Sequence, residues 1–239
     1  MLSSGVDLDA GVVERARALT ERRAAGEPLQ YVTGVAGFRR LDLEVGPGVF
    51  IPRPETESVA ETAMGLLPLN GALIDVGTGS GAIALAVASE RPDVRVWATE
   101  SSADAARWAR RNIGRLELPV RLLECDLFEG LPDEMRGRFD VVVSNPPYVA
   151  HDERAILPLD VVEHEPHEAL FASGDGLSDV TRVARDAKKW LKAGSWLVLE
   201  IGETQGADVL SILEDAGYVS ASVSMDLTGR DRIATGRNP

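Results

Sequence analysis

From residue 72 onward, short apolar runs of strand length alternate with stretches whose apolar residues recur every three or four positions. The runs at 72–76, 94–99, 120–124, 139–143, 195–201, 218–226 and 231–235 read as strands. The stretches at 82–89, 102–114, 176–192 and from Thr204 through Ala216 read as helices, with Gly194 stopping the third and Thr204 capping the last. Such a β–α rhythm predicts a mostly parallel sheet with helices on both faces. Residues 9–25 carry Val12, Val13, Ala16 and Leu19 at helical spacing, a helix that must dock or fray. Gln30 to Gly34 reads as a loop. Residues 38–45 then alternate, Gly46-Pro47-Gly48 turns the chain, and Val49-Phe50-Ile51 returns as the second arm of a hairpin. Pro52 and Pro54 keep the next segment extended up to a helix bearing Val59, Ala60, Ala63, Met64 and Leu67. Residues 149–175, rich in Asp, Glu, His and Pro, form a connection long enough to expect function or mobility.

The apolar run Phe139–Val143 leads into Ser144-Asn145-Pro146-Pro147-Tyr148. Two successive prolines donate no backbone N–H and cannot continue a central strand, so the strand stops and holds a rigid loop at its carboxyl end. In an open α/β sheet that end is where ligands bind. Asn145 brings a side-chain amide, Pro146 a carbonyl with no N–H on Pro147 competing for it, and Tyr148 a flat ring. The set suits a planar amide or amine with two N–H groups. A proline-stiffened turn is the plainer reading of Asn-Pro-Pro alone. Tyr148 and the glycine loop upstream favour a site.

That loop, Gly77-Thr78-Gly79-Ser80-Gly81, lies between a strand and a helix, where glycines allow a tight turn and close approach of backbone to ligand. Glu100, 19 residues past Gly81, ends the next strand and can accept both hydroxyls of a ribose. A dinucleotide fingerprint would read Gly-x-Gly-x-x-Gly; here the third glycine comes one residue early. This favours S-adenosylmethionine, which has no pyrophosphate to seat. Asp126 ends the third strand, and Leu127 and Phe128 beside it could frame an adenine. Taken singly, Glu100 and Asp126 also read as helix-capping or solvated acids. Arg53 reads either as a site cation or as a surface ion pair with Glu55 or Glu57.

Composition narrows the choices. The 239 residues are 44% hydrophobic, enough for one large domain or a domain with an appendage. A net charge of −13 disfavours nonspecific nucleic-acid binding, which rests on Lys and Arg neutralising phosphates. One cysteine, Cys125, excludes an internal disulfide and a cysteine-cluster metal site, and is compatible with a reducing cytoplasm. No apolar run approaches membrane-spanning length and the first ten residues lack a signal-peptide pattern. His164-x-x-His167 contains Pro166 and is not the helical zinc arrangement; no metal is expected. Arg107, Arg110 and Arg111 read as a solvated helix face. Arg230 and Arg232 read as partner contacts or as partners of acids in 149–175.

The chain resembles the peptide chain release factor glutamine N5-methyltransferase family, within the class I S-adenosylmethionine-dependent methyltransferases. The resemblance runs from about residue 28 to 236. It rests on Pro28 to Gly34, Phe50-Ile51-Pro52-Arg53-Pro54-Glu55-Thr56-Glu57, Asp75 to Gly81, Ser144 to Tyr148, Glu165-Pro166, Leu199 to Gly202 with Gln205, and Asp226 to Arg232. Asn-Pro-Pro-Tyr is shared with DNA adenine and rRNA methyltransferases; the Ile-Pro-Arg-Pro-Glu-Thr-Glu stretch is far more specific. The resemblance implies a class I, Rossmann-like α/β fold: a seven-stranded mostly parallel sheet with helices on both faces, plus a short N-terminal helix and a β-hairpin. It implies a shortened N-terminal helical segment at 1–36, hairpin and linker at 37–58, and the methyltransferase domain at 59–239. S-adenosylmethionine would be held by Gly77, Thr78, Gly79, Ser80, Gly81, Glu100, Asp126 and Leu127, with Asn145 bordering both ligands. Catalysis would fall to Asn145, Pro146 and Tyr148, and substrate binding to these with Pro147 and Arg53. The implied partner is the Gly-Gly-Gln loop of bacterial release factors, in the cytoplasm, with no membrane and no direct nucleic acid. A ribosomal-protein glutamine, an exocyclic amine of DNA or RNA, and a cofactor-binding module without turnover remain as alternatives. Two departures stand out: the family usually begins with several helices where about 27 residues precede the first shared motif here, and its ribose-binding acid is usually Asp rather than Glu.

Overall fold

The computed structural model describes residues 9–173 and 175–239. Its sheet has seven strands: β3 (Ala72–Val76), β4 (Arg95–Glu100), β5 (Val120–Glu124), β6 (Phe139–Ser144), β7 (Leu191–Glu200), β8 (Val219–Met225) and β9 (Asp231–Arg237). They lie in the order β5-β4-β3-β6-β7-β9-β8, parallel except for β9, which runs antiparallel to both β7 and β8. Every residue of β3 and β6 is buried, as expected of central strands covered on both faces. Side-chain alternation divides them. Leu73, Val141, Val143 and Val198 pack with α3 (Thr56–Leu66) and α4 (Ala82–Glu90). Ile74, Val142, Leu197 and Leu199 pack on the other face with α8 (Ser178–Ala187) and α9 (Gly206–Asp215). Helix α5 (Ala103–Leu116) follows β4 and is capped by Ser102. Strand order reverses between β3 and β6, and the crevice beyond their carboxyl ends is the position such sheets use for ligands.

Before the sheet, α1 (Ala10–Ala24) is capped by the Asp9 carboxylate, and none of its residues is buried. Residues 30–34 are not a loop but most of a one-turn helix, α2 (Leu29–Thr33). It buries Tyr31 and Val32 and ends on left-handed Gly34. The hairpin is also displaced from its predicted position. It pairs β1 (Val35–Phe38) with β2 (Leu41–Glu44), turning at Arg39 and Arg40 rather than at Gly46-Pro47-Gly48. Arg39 takes a left-handed φ of 51°. Acids hold it there: Glu57 accepts its backbone N–H at 2.8 Å, and Glu90 takes its guanidinium through two hydrogen bonds.

Two other boundaries move. Helix α8 stops at Ala187, and β7 starts before Gly194 and passes through it. The turn between them buries Trp190, which stacks on Phe128 at 5.8 Å while its carbonyl accepts the N–H groups of Arg138 and Phe139. Thr204 does not cap α9; Gln205 occupies the cap position without a side-chain cap bond. The 149–175 connection contains a 3₁₀ turn (His151–Ile156), α6 (Leu159–His164) and α7 (His167–Leu170). A parallel bridge between Val149 and Phe171 closes it.

Candidate active site

The loops at the carboxyl ends of β3, β4, β5 and β6 converge on one cavity of about 260 Å³. Gly77, Thr78, Gly79, Ser80, Glu100, Asp126, Leu127, Asn145, Pro146, Pro147 and Tyr148 all line it. Arg53 is outside this lining, and Gly81 stands behind it as the N-cap of α4.

The glycine loop is fastened from below. The N–H groups of Gly77 and Thr78 donate to the Thr99 carbonyl at 2.9 and 3.0 Å. Buried Asp75 accepts the Thr78 hydroxyl at 2.6 Å and the Ala84 N–H at 3.1 Å. Burial raises its carboxyl to about 7 despite those bonds. Gly77 and Gly79 have φ of 71° and 59°, and a Cβ on either would project into open space. Their bare backbone therefore forms a cradle at the cavity wall. Glu100 is 8% exposed; one oxygen accepts the Gly79 N–H at 2.8 Å and the other the Ser102 N–H at 2.9 Å. Burial shifts its carboxyl upward, and the backbone bonds oppose that shift. Each oxygen keeps acceptor capacity for a diol. Cradle and carboxylate together fit a nucleoside-bearing cofactor.

Asp126 lines the cavity but is already paired with Arg182 at 2.7 Å. Leu127, at a left-handed φ of 47°, stands on the wall. Phe128 does not share it: its ring turns into the core onto Trp190, so only Leu127 of the pair can pack on a base.

The Asn145 corner is braced by residues to which sequence reasoning gave no role at this site. The Ser144 hydroxyl donates to the Val76 carbonyl at 2.7 Å. The Asn145 Nδ2 donates to the Thr56 hydroxyl at 3.4 Å, and that hydroxyl donates to Glu200 at 2.6 Å. The Tyr148 hydroxyl donates to the other oxygen of Glu200 at 3.3 Å and accepts from Arg232 Nη1 at 3.3 Å. Burial raises Glu200 to about 7 and pushes the Tyr148 phenol far up. The Tyr148 carbonyl accepts Gln205 Nε2 at 2.9 Å. A signal for Glu200 and Asp75 existed in the sequence: a carboxylate in an otherwise apolar strand must have buried partners. Thr56 and Gln205 stand in stretches that carry the family resemblance, but nothing in those stretches marks these contacts.

Gly176 packs on the same carbonyl. Its φ is 85°, and a Cβ there would lie 2.5 Å from the Tyr148 oxygen. Gly176→Ala is expected to cost roughly 1–2 kcal/mol of stability from the left-handed backbone alone. It should also shift Tyr148 and slow substrate turnover; thermal melts and rate measurements check both, and an unchanged melting temperature would refute the packing argument.

Arg53 pairs with neither Glu55 nor Glu57. It reaches Glu165 at 2.5 Å, and the other Glu165 oxygen accepts the Ile51 N–H at 3.0 Å. Its guanidinium lies over the Phe50 ring, and Phe50, Pro52 and Thr56 line the cavity. Arg232 is buried 3.8 Å from Asp226, and Arg230 lies 3.6 Å from Glu203, so neither pairs with the 149–175 segment. Arg107, Arg110 and Arg111 pair with Asp104, Glu124 and Glu44. His167 contacts the Val162 carbonyl at 2.9 Å, and among the described residues no three His, Cys, Asp or Glu side chains form a metal cluster. No helix among them is long and apolar enough to cross a membrane.

Residues 53–206 match the methyltransferase small domain, and residues 1–34 match the PrmC N-terminal domain. A release factor glutamine methyltransferase from Streptomyces coelicolor is 43% identical over 221 residues, covering 90% of this chain and 78% of that protein. One from Burkholderia pseudomallei is 41% identical, covering 97% and 83%. Among solved structures, a methyltransferase from Pyrococcus furiosus superposes with a TM-score of 0.64 at 19% identity, covering 95% of this chain and 98% of that one. A T. thermophilus 16S rRNA N2 G1207 methyltransferase, solved with AdoMet and guanosine, superposes at 0.62 with 18% identity, covering 86% and 50%. The two superpositions support the class I methyltransferase fold.

Proposed function

The chain belongs to the release factor glutamine methyltransferase family, and from that premise we propose that its Asn145 corner grips the glutamine of a release factor's Gly-Gly-Gln loop and aims its amide nitrogen at a methyl donor. It is an S-adenosylmethionine-dependent enzyme. The cofactor would be held by Gly77, Thr78, Gly79, Ser80, Glu100, Asp126 and Leu127, with Gly81 shaping the loop behind them, and would supply a methyl group on a sulfonium centre.

The Asn145 side-chain oxygen and the Pro146 carbonyl accept the two N–H bonds of the substrate amide, while Pro147 stiffens the corner. An amide nitrogen is a poor nucleophile because its lone pair is delocalised. Two acceptors on its hydrogens orient what nucleophilicity it has and stabilise positive charge developing on nitrogen. The ring of Tyr148 packs on the amide plane. No general base of tuned pKa is needed, because the proton can leave after transfer. Arg53 is fixed by Glu165 and lies over the Phe50 ring, so that it would steady the side of the cavity, lined by Phe50 and Pro52, that takes the peptide.

The observation that carries this reading is the meeting, in one cavity, of a cofactor cradle with a rigid corner rich in acceptors. The net charge of −13 weighs against DNA or RNA as the substrate. Release factors work in the cytoplasm, and the enzyme acts there. With methyl-labelled cofactor, label should enter purified release factors and not their variants carrying Ala for the Gly-Gly-Gln glutamine. Equal label in both would overturn the assignment, and label entering only a ribosomal protein would move the substrate.

A further inference from the structure

We propose that Glu200 is a positioning residue: through the Thr56 hydroxyl it fixes which end of the Asn145 amide faces the substrate. The inference rests on the reading that Asn145 accepts a substrate N–H. Asn145 can serve in that way only if its oxygen, and not its NH₂, points at the substrate. At the corner itself, the side-chain amide makes its hydrogen bond to Thr56.

Glu200 ends β7 with 1% exposure, and Thr56, 144 residues earlier in α3, is 3% exposed. An ionised carboxylate only accepts hydrogen bonds. The 2.6 Å contact therefore commits the Thr56 proton to Glu200 and leaves the Thr56 oxygen as an acceptor toward Asn145. Only the Nδ2 end of the amide can satisfy it, and the Oδ1 end is left for the substrate. The second Glu200 oxygen commits the Tyr148 proton in the same way. One carboxylate thus polarises both walls of the corner.

Protonating Glu200 removes the constraint. The acid can then donate to Thr56, whose proton turns to Asn145, and the favoured amide presents N–H groups to a substrate that also presents N–H groups. The charges around Glu200 come from each packed element. Arg232 of β9 favours the anion, Asp226 at the end of β8 lies 3.8 Å from Arg232, Glu55 before α3 disfavours the anion, and Arg53 acts on Tyr148. Burial outweighs them and raises Glu200 to about 7, so the switch falls in the neutral range.

The test is the single-turnover methylation rate on a purified release factor, followed against pH at saturating cofactor. The wild-type rate should rise through about pH 7. Glu200→Gln should be about tenfold to a hundredfold slower, the fold-change that corresponds to losing a hydrogen bond to a charged group, and flat with pH. Cofactor affinity should match wild type in both. Thr56→Val should reproduce the slow rate and Thr56→Ser should restore it, a pair that decides the matter even if Glu200→Gln folds poorly. A Glu200→Gln enzyme with the wild-type rate and pH limb, or a Thr56→Val enzyme as fast as Thr56→Ser, would overturn the relay. Turnover surviving in Asn145→Ala would instead overturn the underlying reading of Asn145.

Discussion

Asn145→Ala is expected to lower methyl transfer by about 10²–10³-fold, the cost of removing one preorganised polar group from a transition state. The alanine removes the side-chain acceptor assigned to the substrate amide and leaves the Pro146 carbonyl alone with it. The loss should appear in the chemical step. The interaction strengthens as positive charge grows on nitrogen, so it is weak in the ground state and strong at the transition state. Cofactor affinity should stay close to wild type, because the cradle of Gly77, Gly79 and Glu100 is built on other strands. Single-turnover rates and calorimetric titration separate the two quantities. A variant that turns over normally defeats the assignment; one that loses cofactor and rate together shows that Asn145 serves the cofactor first.

Glu100→Ala should do the reverse and raise the cofactor Kd by about tenfold to a hundredfold. Hydrogen bonds to a charged group contribute roughly 1.5–3 kcal/mol, and each 1.4 kcal/mol is a factor of ten. The carboxylate also organises the loop, since the Gly79 and Ser102 N–H groups both donate to it. Glu100→Asp should recover most of the affinity if the shorter acid still reaches the same diol. Acid weakens the site: burial lifts the Glu100 carboxyl above its ordinary value, so protonation and loss of acceptor capacity begin at higher pH than for a surface glutamate. Wild-type affinity in Glu100→Ala would remove this residue from the cofactor site.

Much of this arrangement is readable from sequence because its causes are local. The run Ala72–Val76 closed by a glycine loop, and Phe139–Ser144 closed by two prolines, mark strand, stop and site in a few residues each. The hairpin turn was not readable, because left-handed backbone usually advertises itself as Gly or Asn. At Arg39 that conformation is enforced by Glu57 and Glu90, 18 and 51 residues away. Trp190 hid the end of α8 in the same way, since its partner Phe128 lies on a distant loop. Thr56 and Glu200 sit inside recognisable stretches, yet neither stretch shows that the two side chains meet. Separations of that kind leave no periodicity to detect.

The contacts bracing the corner have a consequence for the order in which the enzyme acquires its parts. Glu165 reaches back 114 residues to Ile51 and 112 to Arg53, and Glu200 reaches back 144 to Thr56. A nascent chain makes the segment carrying Ile51, Arg53 and Thr56 long before Glu165 and Glu200, the acids that fasten it, have left the ribosome. Pairings so distant in sequence close late, after the local strands and helices that reward them. The maturing polypeptide thus gains its braced corner late, once the strand that ends in Glu200 has joined the sheet.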